Sequence, residues 1–351
     1  MTKEQALENL KISLIEVDKD RVVTAADIAG KAGVSAEEAI EKSLSKAMET
    51  VQSLFVGGSL FVPDLLLAAE AFEKAVAILN ENNAFRAAEA FGASVTFKGN
   101  EAPSIREPLV DSAEEVRALK VPDVHSGRVD VFLDAVKEAG KLIPDRPVLG
   151  GQLGPFSLAA NLMEVQKALK ATRKDPDTIH LLLDKATEFL IARAKAYKEA
   201  GANGIFLAEP TAGLLSPKQH REFSAVYVKK IVDAVQDSGF YIILHNCGYV
   251  TKMVPDMVAT GCKGFHFGNA VDMTEILPQI PPNVLVYGNI DPSSDFTNGT
   301  AEGIYKKTTE LLRSMEEYPH FVLSSGCDIP PLARMKNIEA FFKAHLDYIR
   351  E

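Results

Sequence analysis

Apolar residues recur every three or four positions through AADIAGKAG, SAEEAIEKSLSKAMETVQSLF and PDLLLAAEAFEKAVAIL. That spacing lines one face of a helix, so roughly the first eighty residues read as a bundle of short helices with little strand. Ser35 and Glu38 have capping-box spacing, Gly57-Gly58 ends the helix that contains Met48 and Val51, and Pro63 suits the first turn of the next. Ahead of residue 145 only Arg21–Thr24 and Ser94–Phe97 read as extended.

From about residue 145 the pattern changes. Short apolar runs ending in Gly, Pro, Asn or Asp alternate with long amphipathic stretches such as DTIHLLLDKATEFLIARAKAYKEAG and SPKQHREFSAVYVKKIVDAVQDSG. The runs predict strands at Pro147–Gln152, Gly204–Ala208, Tyr241–His245, Gly264–Phe267, Val284–Gly288 and Phe321–Ser324. No GxGxxG follows the first of them, which favours an α/β fold of (β/α)8 TIM-like barrel type over a dinucleotide-binding sheet. Because six strands are visible rather than eight, the barrel is expected to be incomplete or atypical at its first strands. The expected division is a helical bundle over 1–80 and a (β/α) barrel over 81–351.

Composition narrows the function. Lys and Arg number 38 against 48 Asp and Glu, a formal net charge of −10 across 351 residues. That balance gives no basic footprint for nucleic acid or an anionic membrane, so a small molecule or a protein is the expected partner. Three cysteines cannot all pair, and no run of about 18 uncharged apolar residues occurs; a soluble, cytoplasmic chain with reduced thiols is expected.

In a (β/α) barrel, reactive groups lie where strands end. Here the ends are polar: Glu209-Pro210, His245-Asn246-Cys247-Gly248, Gly288-Asn289-Ile290-Asp291-Pro292 and Ser325-Gly326-Cys327-Asp328. His245 and Cys247 are two apart at one strand end, and Cys327 closes another. Two thiolates and an imidazole make a soft tetrahedral set with one position left open, the donor set of a catalytic Zn2+. A thiol in that position loses its proton near neutral pH and stays nucleophilic, as alkyl transfer to sulfur requires. Against this stands the plainer reading of hydrogen-bonded His and small buried Cys, which is adopted for Cys262. Glu209 is either a proton-handling or metal-tuning carboxylate or a helix-capping charge. The run Gly150-Gly151-Gln152-Leu153-Gly154-Pro155-Phe156 allows close backbone approach to a ligand, with Gln152 as donor, or is a tight turn. Asn289 and Asp291 bind substrate or satisfy loop amides.

From about Ala88 onward the chain resembles the uroporphyrinogen decarboxylase superfamily, within it the methylcobamide:coenzyme M methyltransferase branch. The resemblance is carried by AEAFGASVTF, APSIREPLVDSAEEVRALKVPD, GGQLGPFSLA, GIFLAEPTAGLLSP, ILHNCGYV, VYGNIDP and LSSGCDIPPLARMKNIEAF. It implies zinc on His245, Cys247 and Cys327, a thiol acceptor such as coenzyme M, and a methyl-corrinoid presented by a separate carrier protein. Catalytic roles are expected for Glu209, Asn289 and Asp291, and substrate contacts for Gln152, Gly154 and Asn246. The Met-Arg-Gln-Ala-Gly-Arg type segment with which true uroporphyrinogen decarboxylases grip their substrate has no counterpart here. Residues up to about Leu79, on SAEEAIEKSLSKAMETVQSLF and GGSLFVPDLLLAAEAFEKAVAIL, resemble the helical half of methanol-type corrinoid carriers. Asp123-Val124-His125 opens like a corrinoid lower-ligand motif, but Arg128 stands where that motif needs Gly, and it is read as chance. The alternatives are a decarboxylase-type lyase, a tetrahydrofolate-linked corrinoid methyltransferase, and a non-catalytic module that docks a corrinoid protein. A homodimer stays open beside a monomer.

Overall fold

The structure, a computed structural model, describes residues 1–34, 36–56, 83–98, 101–105, 107–126, 129–330 and 333–350. The expected cap at Ser35, the stop at Gly57-Gly58 and the helix opened by Pro63 lie outside the described residues. The chain divides into two compact units, Met1–Phe85 with Val95–Ser104, and Arg86–Ser94 with Ile105–Glu351.

In the first unit, helices Lys3–Ile15 and Lys19–Lys31 are followed by Ala36–Ala39, which runs through a wide π turn, Ile40–Leu44, into Ser45–Val56. Thr2 and Gln5 close a reciprocal capping box on the first helix. Its stripe Ala6, Leu7, Leu10 and Leu14 packs with Val22, Ala25, Ala26, Ala29, Leu44 and Ala47 in one apolar core. Arg21–Thr24, expected to be extended, lies inside the second helix. Asp18 accepts from the Arg21 amide and starts that helix, and burial of Val22, Ala25, Ala26 and Ala29 at helical spacing outweighs the strand preference of Val22, Val23 and Thr24. The run read as extended at Ser94–Phe97 is strand β1, Val95–Lys98, but it pairs with β2, Glu101–Ile105, in a separate two-stranded sheet.

The second unit is built on six parallel strands: β3 Leu149–Leu153, β4 Gly204–Ala208, β5 Tyr241–Asn246, β6 Gly264–Phe267, β7 Leu285–Ile290 and β8 Phe321–Ser325. They lie side by side in chain order, which is the order of barrel staves. Each expected strand forms within two residues of its predicted limits. Among the described residues the array is six-stranded, and no strand joins β3 to β8.

Helix Pro176–Glu199 is the longest cover on this sheet. Asp175 caps it by accepting from the Thr178 amide, and Pro176 sets its first turn. It buries Ile179, Leu182, Leu183, Ala186, Phe189, Leu190 and Tyr197, positions that recur every three or four residues. Each large side chain so buried contributes about 1.5–3 kcal/mol. The Phe91 ring meets Phe189 edge-on, with ring centres 5.2 Å apart. Lys185 donates to the carbonyls of Val116, Arg117 and Leu119, a cation on the negative end of helix Ala113–Ala118. No described helix is long and apolar enough to cross a membrane.

Candidate metal centre and active site

Parallel register decides which side chains meet. Ala208 on β4 pairs with His245 on β5, His245 with His266 on β6, and His266 with Tyr287 on β7. Paired residues point to the same face of a sheet. Phe206, two residues before Ala208, therefore shares that face, and its ring stacks on His245 with centres 5.4 Å apart. The inner face thus carries an aromatic floor of Phe206, His245, His266 and Tyr287.

His245 is buried at 5% exposure. Its Nε2 lies 3.7 Å from Sγ of half-buried Cys327. One ligand atom from each of His245, Cys247 and Cys327 falls within 4.8 Å of the others. Zinc bonds of about 2.0–2.3 Å in a tetrahedron set neighbouring ligands about 3.5 Å apart; the His245–Cys327 pair comes close to this at 3.7 Å, and two sulfurs with an imidazole are donors that suit that ion.

Two glycines make the convergence possible. A Cβ on Gly268, just after β6, would stand 2.5 Å from Cys247 Cα, and one on Gly326 would stand 2.6 Å from the Asn269 amide nitrogen. The loops after β5, β6 and β8 thus close over one another only because these positions lack side chains. The neighbouring Cys327 holds the Cys247 thiol below the usual range, and Cys247 in turn pushes the Cys327 thiol up. Cys262 is buried beside Thr260, and burial pushes its thiol up to about 12.

His266, 6% exposed, was not singled out from the sequence because it sits inside an apolar run rather than at its end. Its Nδ1 lies 2.6 Å from Nδ1 of His245, and its Nε2 lies 2.8 Å from the Ser325 carbonyl oxygen and 3.2 Å from Ser324 Oγ. Burial first, then the neighbouring His245, lowers its pKa to about 4. The signal that finds it is register, since strand order alone sets it beside His245.

The remaining expected site residues brace the loops. Glu209, 1% exposed, accepts from the amides of Phe156 and Ser157 at 2.9 Å each and from the hydroxyls of Ser157 at 2.7 Å and Ser224 at 3.3 Å. It therefore caps helix Pro155–Met163 from a neighbouring strand end. Burial raises its carboxyl above the usual range, opposed by these four donors. The room left by Gly154 is filled by Glu209, whose Cγ would lie 2.2 Å from an added Cβ. Asn246 donates to the Glu209 carbonyl at 2.7 Å and accepts from the Gly248 amide at 2.9 Å. Asn289 donates to the carbonyls of Gly268 and Val271. Asp291 accepts from the amides of Ser293 and Ser294 and from Asn269 Nδ2. Partial burial works against its charge, yet the Ser294 and Ser293 amides prevail and hold its carboxyl below the usual range.

Gln152, expected to hold substrate, is turned the other way. Gly151 is in register with Phe206, so it is Gly151 that faces the floor, and Gln152 points to the helix layer. There its Nε2 donates to the Leu190 carbonyl at 3.2 Å.

The uroporphyrinogen decarboxylase (URO-D) family model matches residues 78–348, and the B12 binding domain model matches residues 6–80. The methylcobamide:CoM methyltransferase MtbA of Methanosarcina acetivorans is 29% identical over 265 residues, 74% of this chain and 76% of its own length. A uroporphyrinogen decarboxylase of Pseudoalteromonas atlantica is 27% identical over 277 residues, 74% of this chain and 76% of its own. Among solved structures, a methyltransferase from Methanosarcina mazei superposes with a TM-score of 0.70 at 26% identity, covering 84% of this chain and 90% of its own. A B12-independent methionine synthase from Shewanella, 14% identical with a TM-score of 0.53 over 83% of this chain and 90% of its own, shares the fold alone.

Proposed function

The chain belongs to the uroporphyrinogen decarboxylase family, and from that premise we propose that it is a zinc-dependent methyltransferase, moving a methyl group from a methyl-corrinoid to a thiol such as coenzyme M. The observation that carries the reading is the convergence of His245, Cys247 and Cys327 at the ends of β5 and β8, with ligand atoms within 4.8 Å. Two features support it: relatives named for corrinoid-to-coenzyme M transfer, and the B12 binding domain match over residues 6–80. We assign residues 1–80 to a corrinoid-related helical domain and 81–351 to the catalytic domain.

In this reading His245 Nε2 and the two sulfurs hold the ion. When bound, the ion supplies Lewis acidity that lets a thiol exist as thiolate near neutral pH. The thiolate sulfur attacks the cobalt-bound methyl carbon; a sulfur–carbon bond forms, the cobalt–carbon bond breaks, and its electron pair leaves with the corrinoid as Co(I). The chain's own contribution is positioning. Phe206 and His266 wall the ligand imidazole on its inner side. Glu209, Asn246, Asn289 and Asp291 fix the loops that carry or border the ligands. A protein-bound corrinoid is the donor we expect.

The test joins metal analysis to turnover. Purified protein is expected to hold one zinc per chain and to consume methylcobalamin only when a thiol is added, yielding the methyl thioether. Metal-free protein with full activity would sink the reading, as would chelator-insensitive release of CO2 from uroporphyrinogen, the activity named in some relatives.

A further inference from the structure

We infer that His266 is a positioning residue that fixes the tautomer of His245 and so keeps the His245 Nε2 lone pair free to bind the metal. Three hydrogen-bonding contacts fix where the protons sit. The Ser325 carbonyl oxygen can only accept, and it lies 2.8 Å from His266 Nε2, so the His266 proton sits on Nε2. Its Nδ1 then presents a lone pair, 2.6 Å from His245 Nδ1. The second neighbour of His245 Nδ1 is the His266 carbonyl oxygen at 3.2 Å, again an acceptor. Both neighbours call for a proton on His245 Nδ1. The other ring nitrogen of His245 is left unprotonated, facing Cys327 Sγ at 3.7 Å.

The chain of contacts starts on β5, crosses β6 and ends on β8, at a carbonyl two residues before Cys327. It thus ties the strand that carries one ligand to the strand that carries another. His ligands generally need such an outer partner, and its loss typically costs about 10–100-fold in metal affinity. A carboxylate or backbone carbonyl is the usual partner; here an imidazole relays the demand to a carbonyl.

The inference rests on the zinc reading for one readout and stands apart from it for the other. In metal-free protein with 15N-labelled histidine, long-range proton–nitrogen correlation spectra are expected to find His245 as the Nδ1–H tautomer and His266 as Nε2–H. The variant His266→Phe is expected to mix the His245 tautomers and to weaken zinc binding about 10–100-fold in chelator competition. His266→Asn, whose Oδ1 can still accept from His245 Nδ1, is expected to restore most of that loss. An Nε2–H tautomer at His245 in the unsubstituted protein overturns the inference, as does wild-type zinc affinity in both variants. Absence of zinc binding by the unsubstituted protein would instead remove the zinc reading, and the tautomer spectra would still decide this one.

Discussion

His245 Nε2 and Cys327 Sγ lie 3.7 Å apart although 82 positions of chain separate them. The link between them is parallel register carried from β5 through β8. Removing one sulfur should therefore empty the site without disturbing the sheet, since both cysteines follow their strands rather than lie within them. Cys247→Ala and Cys327→Ala are each expected to purify without zinc and to lose methyl transfer, with urea midpoints of the metal-free forms close to that of metal-free parent. Retained zinc in either variant would refute the three-ligand assignment.

Much of this was legible in the chain itself. All six strands of the main sheet stand where short apolar runs end in polar residues, because a buried parallel strand must be apolar and its exit must turn. The convergence of His245, Cys247 and Cys327 was legible for the same reason. Facing was harder to read. Gln152 follows two glycines, so the alternation of the strand gives no contrast to tell its inner from its outer face, and only pairing with Leu207 settles it. His266 hides within Gly264–Phe267, where every residue is buried. The helix through Arg21–Thr24 reflects packing of a whole stripe, which no four-residue window contains.

Glu209 is expected to matter for stability before chemistry. Glu209→Ala strands two amides and two hydroxyls that now share its carboxylate. Hydrogen bonds to a charged group contribute about 1.5–3 kcal/mol each, so a loss of at least that size in urea unfolding is expected. Glu209→Gln, still an acceptor, should lose less. A variant with unchanged midpoint and abolished turnover would mean that the carboxylate acts in the reaction.

Gly268→Ala tests the packing under Cys247. The new methyl would stand 2.5 Å from Cys247 Cα, a backbone atom that cannot swing away. The β5 loop must move, and the cost of overpacking is about 1–3 kcal/mol. Displacement of a ligand-bearing residue is expected to weaken zinc binding in chelator competition, whereas Gly140→Ala, with open space around it, should leave affinity unchanged. Equal zinc affinity in the two variants would remove Gly268 from the site.

Acid should loosen the fold through His220, which is far from the thiols in sequence and buried at 2% exposure. Burial, against a weaker opposing pull from Asp256, lowers its pKa from 6.5 to about 4. Between those values the unfolded chain binds a proton that the folded chain refuses, so stability is fully present above about pH 6.5 and drains away as the pH falls toward 4. At about pH 5 the expected loss from this one residue is ~2 kcal/mol. Urea unfolding of metal-free protein at about pH 7.5 and pH 5 measures it, with His220→Gln as the control. The control cannot take up the proton, so its stability should fall less on acidification. An identical fall in both proteins would assign the acid sensitivity to other groups, His266 first among them.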